Sequence, residues 1–364
     1  MVSNPIRVGL VGVGWGSVVQ VPAFRAVPAF EVVALCSRRV ESVGSAGEKL
    51  GVDDVSTDWE AFVQRDDLDL ISICTPVDLH REQALAAIAA GKHVLVEKPV
   101  GLDGAETGEL LAAAEAAGVE HAVCFENRWD PARLRMWEMV EAGHLGDPYL
   151  VSARTGADFW HPSRGLQSEW MYRKDQGGGY LMGMGSHDID FLCALFGEPE
   201  AVCADVRVSV PERTREDGST LRVDADDSAS LIIRMANGVT ATVTTTAVAL
   251  KQNFKAFEVF GSAGSLAIAG ALMGDDAPVV RVGAVGEQGL REEPGHDRPL
   301  ASGIELPQRR ATAAIKALAL MLEEWVPAFD GRPSKTPTLA DGHRVQRIID
   351  AARRSSAGEG WVAT

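Results

Sequence analysis

Long apolar runs are missing from this chain. No stretch reaches the roughly 18 residues that a membrane-spanning helix needs, and the first residues lack a basic segment followed by an apolar stretch and a cleavage site. The expected location is therefore the cytoplasm, with no membrane partner. Basic residues are also scarce: 35 Lys and Arg stand against 51 Asp and Glu, a formal net charge of −16. That balance argues against nucleic acid or an anionic membrane surface as a general partner, although it leaves room for a local basic pocket. Cysteine is sparse and odd in number. Cys36, Cys74, Cys124, Cys193 and Cys203 lie in apolar segments without a Cys-x-x-Cys pair, so reduced, buried thiols are expected. His, Cys and acidic residues show no metal spacing, and no Gly-x-Ser-x-Gly elbow points to a serine hydrolase.

What is present is a globular composition: 46% apolar and 24% charged residues over 364 positions, enough for two domains that each bury a core. From Ile6 to about Phe125, nearly continuous apolar runs at Ile6–Val11, Val32–Cys36, Leu70–Ile73, Val94–Val96 and Val119–Phe125 alternate with helical patterns. Two of those patterns, Arg81–Ala90 and Ala105–Ala117, end at Gly91 and Gly118, which suit helix C-termini. Such runs suit parallel strands covered on both faces, and the βαβ rhythm predicts a doubly wound sheet. After a further helical stretch at Pro131–Ala142 the rhythm changes. Tyr149–Arg154, Ala201–Val208, Ser228–Met235, Val239–Ala247, Ala256–Phe260 and Ser265–Ile268 are short and β-branched, with Asn237-Gly238 marking a hairpin turn. A mainly antiparallel sheet is expected there. Gly270–Pro307 reads as exposed loop with one strand at Val279–Val282, and helices return at Arg310–Phe329 and Leu339–Arg353. The fold class is α/β, divided into a nucleotide-binding domain over residues 1–127 and a second domain over 128–364.

Gly12-Val13-Gly14-Trp15-Gly16-Ser17 follows the first strand and precedes a helical stretch. Glycine triplets occur in turns for purely conformational reasons. The strand before and the helix after are what pyrophosphate binding at a helix N-terminus requires. Ser17 takes the third glycine position, where a small residue still permits close packing. An acidic residue about 20 positions further on would normally bind the ribose 2′-hydroxyl, and Leu35-Cys36-Ser37-Arg38-Arg39 offers none. Ser37, Arg38 and Arg39 suit a 2′-phosphate instead, which favours NADP(H) and leaves NAD(H) as the alternative. The two arginines read equally as solvated residues at a helix start.

Lys98 follows an apolar strand in Leu95-Val96-Glu97-Lys98-Pro99, at the carboxyl end where α/β folds place ligands. His187 follows the glycine-rich run Gly177-Gly178-Gly179-Tyr180-Leu181-Met182-Gly183-Met184-Gly185-Ser186. A nucleotide loop, a lysine and a histidine suggest hydride transfer with an accompanying proton. These segments, with Thr75-Pro76 and His80, Gly91-Lys92-His93-Val94, Asn127-Arg128, Asp190 and Pro337-Thr338-Leu339-Ala340-Asp341-Gly342, resemble the glucose-fructose oxidoreductase/inositol dehydrogenase (Gfo/Idh/MocA) family along nearly the whole chain. The resemblance implies an N-terminal Rossmann domain and a C-terminal α/β domain with a large, mostly antiparallel sheet. It also implies NAD(P)-dependent chemistry at a secondary alcohol of a sugar or cyclitol, and a homodimer or homotetramer formed through the open sheet face.

By the same resemblance Lys98 and His187 are the catalytic pair, Thr75, Pro76 and His80 line the nicotinamide side, and the peptide before Pro99 is often cis. Glu97 reads as structural or close to the cofactor, and His80 equally as a cap. One departure stands out: inositol-type relatives carry an aspartate four residues before the histidine, where this chain has Gly183. Asp188 and Asp190 are expected at a helix start, in capping roles. Two aromatic and basic clusters, Arg128 with Trp129 and Trp160, His161, Trp170, Tyr172 and Arg173, suit a sugar ring and its hydroxyls. Core packing or a subunit interface explains any one of them as well. The leading reading is an NADP(H)-preferring oxidoreductase acting on a sugar, cyclitol or glycoside. Its rivals are a redox-assisted glycoside-cleaving enzyme and a nucleotide-dependent sensor without turnover.

Overall fold

Six parallel strands form the first sheet: β1 (Ile6–Val11), β2 (Phe30–Cys36), β3 (Val55–Ser56), β4 (Leu70–Ile73), β5 (His93–Val96) and β6 (His121–Val123), in the order β3-β2-β1-β4-β5-β6. In the computed structural model, which describes residues 4–272, 279–304, 306 and 311–364, β4 is buried at every position. This is why these strands read as continuous apolar runs. The connecting helices are α1 (Val21–Arg25, led by a wider turn at Gly16–Gln20), α2 (Val40–Leu50), α3 (Trp59–Val63), α4 (His80–Ala89) and α5 (Gly104–Ala117). Their ends follow local chemistry. Asp103 accepts the Ala105 and Glu106 N–H groups at the start of α5, and Gly118 closes it at φ 63°.

The chain divides into two units, residues 1–130 with 298–343, and residues 131–297 with 344–364. The division differs from the boundary after residue 127 in that 298–343 returns to the first unit. The physical reason is aromatic. Trp325, from the helix Thr312–Trp325, and Phe329, from the turn after it, pack on Phe30 with ring centroids 6.3 and 5.9 Å away, and Phe329 meets His93 edge-on at 5.0 Å. Arg310, the first residue of the helical pattern expected there, lies outside the described residues, as do 273–278, 305 and 307–309 of the loop stretch.

The second unit holds α6 (Pro131–Glu141), α7 (Ser186–Phe196) and a nine-stranded sheet. Its strands are β7 (Pro148–Ala157), β8 (Pro199–Arg207), β11 (Ser228–Met235), β12 (Thr240–Thr246), β13 (Asn253–Gly261), β14 (Gly264–Gly270), β15 (Val279–Ala284), β16 (Arg291–Pro294) and β17 (Val362–Ala363). A separate ribbon pairs β9 (Glu212–Thr214) with β10 (Thr220–Arg222). All neighbours in the large sheet are antiparallel except β7 and β12. In β11, buried Ala229, Leu231, Ile233 and Met235 alternate with more open positions, the period of a sheet with one covered face. On the other face Leu150, Ile232 and Phe260 are exposed. The fold class is therefore α/β, with a doubly wound parallel sheet followed by a large, mostly antiparallel one.

Trp325 tests the placement of residues 298–343. Truncating a fully buried aromatic costs about 3–5 kcal/mol. Trp325→Ala should therefore lower the urea midpoint of the transition that Phe24→Ala also lowers. A loss below about 1 kcal/mol, or one confined to a different transition, contradicts the packing described.

Candidate active site

The glycine loop is shaped by what touches it. Gly12 has φ +103°, and a Cβ there would lie 2.3 Å from the Cys74 carbonyl oxygen beyond β4. Its N–H donates to Cys36 O at 2.8 Å, which ties the loop to the end of β2. At Gly16 a Cβ would meet Leu10 Cδ2 at 2.9 Å, so the helix start packs directly on β1. Gly14 has nothing within 4 Å of the same position. Ser17 Oγ donates to Gly14 O at 3.2 Å, and Trp15 and Val18 are exposed. Backbone N–H groups at a helix start beside an open glycine form a cradle that fits a pyrophosphate. At the end of β2, Ser37 is half-buried while Arg38 and Arg39 are exposed, and neither guanidinium has a side-chain partner among the described residues.

The carboxyl ends of β4, β5 and β6 gather the remaining polar groups of this unit. Lys98 is half-buried and precedes Pro99 through a cis peptide bond. The Lys98 N–H donates to Glu97 Oε2 at 3.1 Å. Burial pushes the Glu97 carboxyl up from the usual range, while Lys98 and Gln20 pull it back. Burial likewise raises the thiols of Cys74 and Cys124, which keeps them neutral. Thr75 Oγ1 donates to Gln83 Oε1 at 2.7 Å.

His80 stands at the start of α4, packed between two loops. It is 1% exposed, with Nδ1 2.9 Å from Pro99 O and Nε2 2.8 Å from Thr75 O. The ring is enclosed between the Thr75 and Pro99 loops with a backbone carbonyl facing each nitrogen, and in its neutral form, with one N–H, it donates to one of the two. Burial holds its pKa below the ordinary histidine value. His93 is structural: Nδ1 accepts the Glu120 N–H at 2.9 Å. A cavity of about 440 Å3 at the amino end of β6, lined by His121, Trp325, Arg332 and Thr336 among others, shares no residue with these groups.

In the second unit the glycine run is a packing device. A Cβ at Gly178 would sit 2.5 Å from Met171 O, and one at Gly179, where φ is +122°, would sit 2.4 Å from Asp226 Oδ1. Asp226 in turn accepts the Leu181 N–H at 2.7 Å. The chain then makes a wide turn at Leu181–Gly185 and enters α7, which carries His187, 4% exposed. Arg133 from α6 donates through Nη1 to His187 O at 3.1 Å and pairs with the Asp188 carboxylate, whose Oδ2 accepts Thr155 Oγ1 at 2.6 Å. The Arg133 guanidinium also lies 4.9 Å from the centre of the Phe191 ring. Asp188 is thus a buried ion-pair partner that anchors the turn bearing His187, where a capping role was expected. At Gly183 a Cβ would meet nothing within 4 Å.

The substrate candidates separate into two groups. Arg128, 4% exposed, donates to Asp341 Oδ1 at 3.0 Å, and Trp129 is buried beside it in sequence. Trp160 and Tyr172 belong to a core cluster with Tyr180, the Trp160 ring lying 5.1 and 5.6 Å from the two tyrosines. These four are packed as core. His161 and Trp170 keep partial exposure, His161 Nδ1 lying 2.8 Å from Ser163 Oγ, and Arg173 is exposed and paired with Asp175 at 2.9 Å. Reading the sequence alone missed Gln20, Ser72, Arg133 and Thr155. Gln20 and Ser72 had one signal, polarity inside otherwise apolar segments, and Arg133 and Thr155 had none. Among the described residues no group of His, Cys, Asp or Glu is arranged to hold a metal ion.

A loop, an open glycine and a lysine at the carboxyl edge of a six-stranded parallel sheet define a nucleotide-dependent oxidoreductase class. The chain belongs to the GFO/IDH/MocA family: residues 6–125 match its oxidoreductase NAD-binding Rossmann fold and residues 134–267 its C-terminal domain. It is 28% identical to the levoglucosan dehydrogenase of Pseudarthrobacter phenanthrenivorans over 382 residues, covering 98% of this chain and 97% of that one. A structure of levoglucosan dehydrogenase in complex with NADH and levoglucosan superposes with a TM-score of 0.86, at 28% identity and 99% coverage of both chains. A scyllo-inositol 2-dehydrogenase (NADP(+)) of Bacillus subtilis is 31% identical over 204 residues, 56% of this chain and 55% of that one.

The two loop glycines give a paired prediction. Gly12→Ala combines a left-handed φ with contact on a backbone oxygen and should lower the melting temperature by several degrees. Gly14→Ala should leave the melting temperature within about a degree but weaken NADPH binding, measured by fluorescence titration, because its methyl group takes up the space a pyrophosphate needs. The reverse pattern contradicts the cradle.

Proposed function

We propose that this protein is an NADP(H)-preferring oxidoreductase that moves hydride to or from the CH–OH or ketone carbon of a sugar, cyclitol or glycoside. The observation that carries the cofactor preference is the pair of exposed guanidinium groups at Arg38 and Arg39, without a side-chain partner among the described residues, beside Ser37, where a carboxylate would repel a 2′-phosphate. Gly12, Gly14, Trp15, Gly16 and Ser17 hold the pyrophosphate, and Thr75, Pro76 and Glu97 border the ring end. The bound nicotinamide supplies or accepts the hydride. Lys98 holds the substrate oxygen and offsets the charge that develops on it. His187 carries the proton, its backbone fixed by Arg133. His161, Trp170 and Arg173 retain the accessible surface that substrate contact needs. The relatives act on sugars and cyclitols by name, which supports the substrate class. A homo-oligomer formed through the sheet face bearing Leu150, Ile232 and Phe260 goes with this reading and is checked by light scattering.

Gly183 favours a second reading, a cofactor sensor without turnover, because no carboxylate stands one turn before His187. The presence of both Lys98 and His187 favours the enzyme. A panel of polyols and keto-sugars with NADP+ or NADPH decides: net absorbance change is expected, whereas cofactor binding with no turnover of any of them favours the sensor. Product release without net absorbance change would indicate redox-assisted glycoside cleavage.

Charge-assisted contacts to a phosphate contribute about 1.5–3 kcal/mol, so NADPH should bind roughly 10- to 100-fold more tightly than NADH, and Arg38→Ala with Arg39→Ala should remove most of that ratio. Equal or tighter NADH binding overturns the preference. Lys98→Ala and His187→Ala should each lower kcat by about 100- to 10,000-fold with little change in NADPH affinity. If His187→Ala keeps most of its turnover, the histidine is structural. Gly183→Asp, placed in open space, should fold normally and shift the pH dependence of kcat through the added carboxylate.

A further inference from the structure

Gln20 has no solvent exposure, and its neighbours Val19 and Val21 are equally buried. An amide in such a place must satisfy its polar atoms inside the protein. Ser72, within β4, donates through Oγ to Gln20 Oε1 at 2.8 Å. Gln20 Nε2 donates to Glu97 Oε1 at 2.9 Å and lies 3.5 Å from Cys124 Sγ. The second carboxyl oxygen, Oε2, accepts the backbone N–H of Lys98 at 3.1 Å. A continuous line of bonds therefore runs from the middle of the sheet through the glycine-loop helix to the residue that begins the Lys98–Pro99 turn. With Glu97 ionised its polarity is fixed, because a reversed amide would set its oxygen against a carboxylate.

The groups facing Glu97 come from each element around it. Lys98 is its chain neighbour, Gln20 comes from the helix, and Cys124 follows β6. Cys74, after β4, is also within electrostatic reach of Glu97, and Glu126 acts on both thiols. With the thiols neutral, Lys98 is the cation that favours an ionised Glu97.

We propose that Gln20 and Ser72 are positioning residues for the Lys98 turn: they hold the Glu97 carboxylate in one orientation, and that carboxylate fixes the Lys98 backbone and sets the charge beside its side chain. The proposal rests on the reading of Lys98 as catalytic, and it extends the active machinery to two residues that reach no ligand. Losing the Gln20 amide removes a donor that favours the ionised carboxylate, so Glu97 gains its proton at a higher pH. The ordering that depends on ionised Glu97 is complete at high pH and is lost as pH falls through the Glu97 pKa. In Gln20→Met that loss begins earlier.

The test uses the full chain, with levoglucosan and scyllo-inositol as substrates, and two readouts. In kcat/KM profiles, Gln20→Met should lower the plateau about tenfold and move the acid limb up by about one pH unit, with NADPH affinity within twofold of wild type. Ser72→Ala, the milder variant, should move the limb the same way by less, and Glu97→Gln should abolish it. Independently of activity, the 13C resonance of reductively dimethylated Lys98 in the cofactor-free protein, assigned by its loss in Lys98→Arg, should show an inflection from Glu97 that moves upward in Gln20→Met and Ser72→Ala. An unmoved inflection in the folded variants, or a fall in activity with an unshifted acid limb, overturns the proposal. Full turnover by Lys98→Met with the inflection behaving as described would instead overturn the catalytic reading of Lys98.

Discussion

The contact on which the first unit depends is the close approach of Gly12 to the carbonyl end of β4. It is a backbone-on-backbone contact that only a residue without a Cβ permits, and it aligns the glycine loop, the start of its helix and the Cys74–Thr75 turn at one edge of the sheet. From that alignment follow the inward face of the helix, the place of Gln20 against β4, and the reach of its amide to Glu97. His80 adds a brace from the other side, its buried ring lying between the Thr75 and Pro99 carbonyls and donating to one of them. The Lys98 turn is therefore held through side chains from the wide turn before α1 and from α4 as well as by its strand, the preorganisation that its proposed role calls for.

The second unit solves a harder problem, because the residue it presents is on a helix that begins with a wide turn. Arg133 and Asp188 carry opposite charges at sites that are 8 and 3% exposed. A buried pair of this kind is tolerated only with further hydrogen bonds to the remaining donors and acceptors. Thr155 and the His187 carbonyl supply them. The same charge pair that would otherwise be a cost thus fixes the backbone of His187. Removal of either partner leaves the other buried and uncompensated, so this position has little freedom to vary.

The parallel sheet was legible because burial on both faces leaves a plain trace, and Leu70–Ile73 is a strand at the residues expected; in the other sheet the alternation of one covered face marked Ser228–Met235 as plainly. Four strands of two or three residues left no such trace, unlike β6, which lies in the apolar run Val119–Phe125. β3, β9, β10 and β17 exist because a neighbouring backbone pairs with them, and their own side chains carry no period. The helix Thr312–Trp325 could be read as a helix, yet nothing local says which core its apolar face will cover, and Trp325 settles on Phe30. The candidate site shows the same limit. Glycine and lysine motifs are local and were read. Arg128 read as either a ligand contact or a packing residue, and its partner Asp341 lies more than 200 residues away in sequence, beyond what local pattern can show. Gln20 and Arg133 drew no reading at all, because their partners lie on other elements.

The most direct test of the account is the fate of the hydrogen on the reacting carbon. Levoglucosan and scyllo-inositol deuterated at their ring CH–OH carbons are incubated with NADP+ and the protein, and the cofactor is recovered and examined by mass spectrometry and NMR. Direct hydride transfer predicts one deuterium at nicotinamide C4 for each ketone formed, together with a slower rate from the deuterated substrate. Deuterium appearing in water, or ketone formed with unlabelled NADPH, would contradict it.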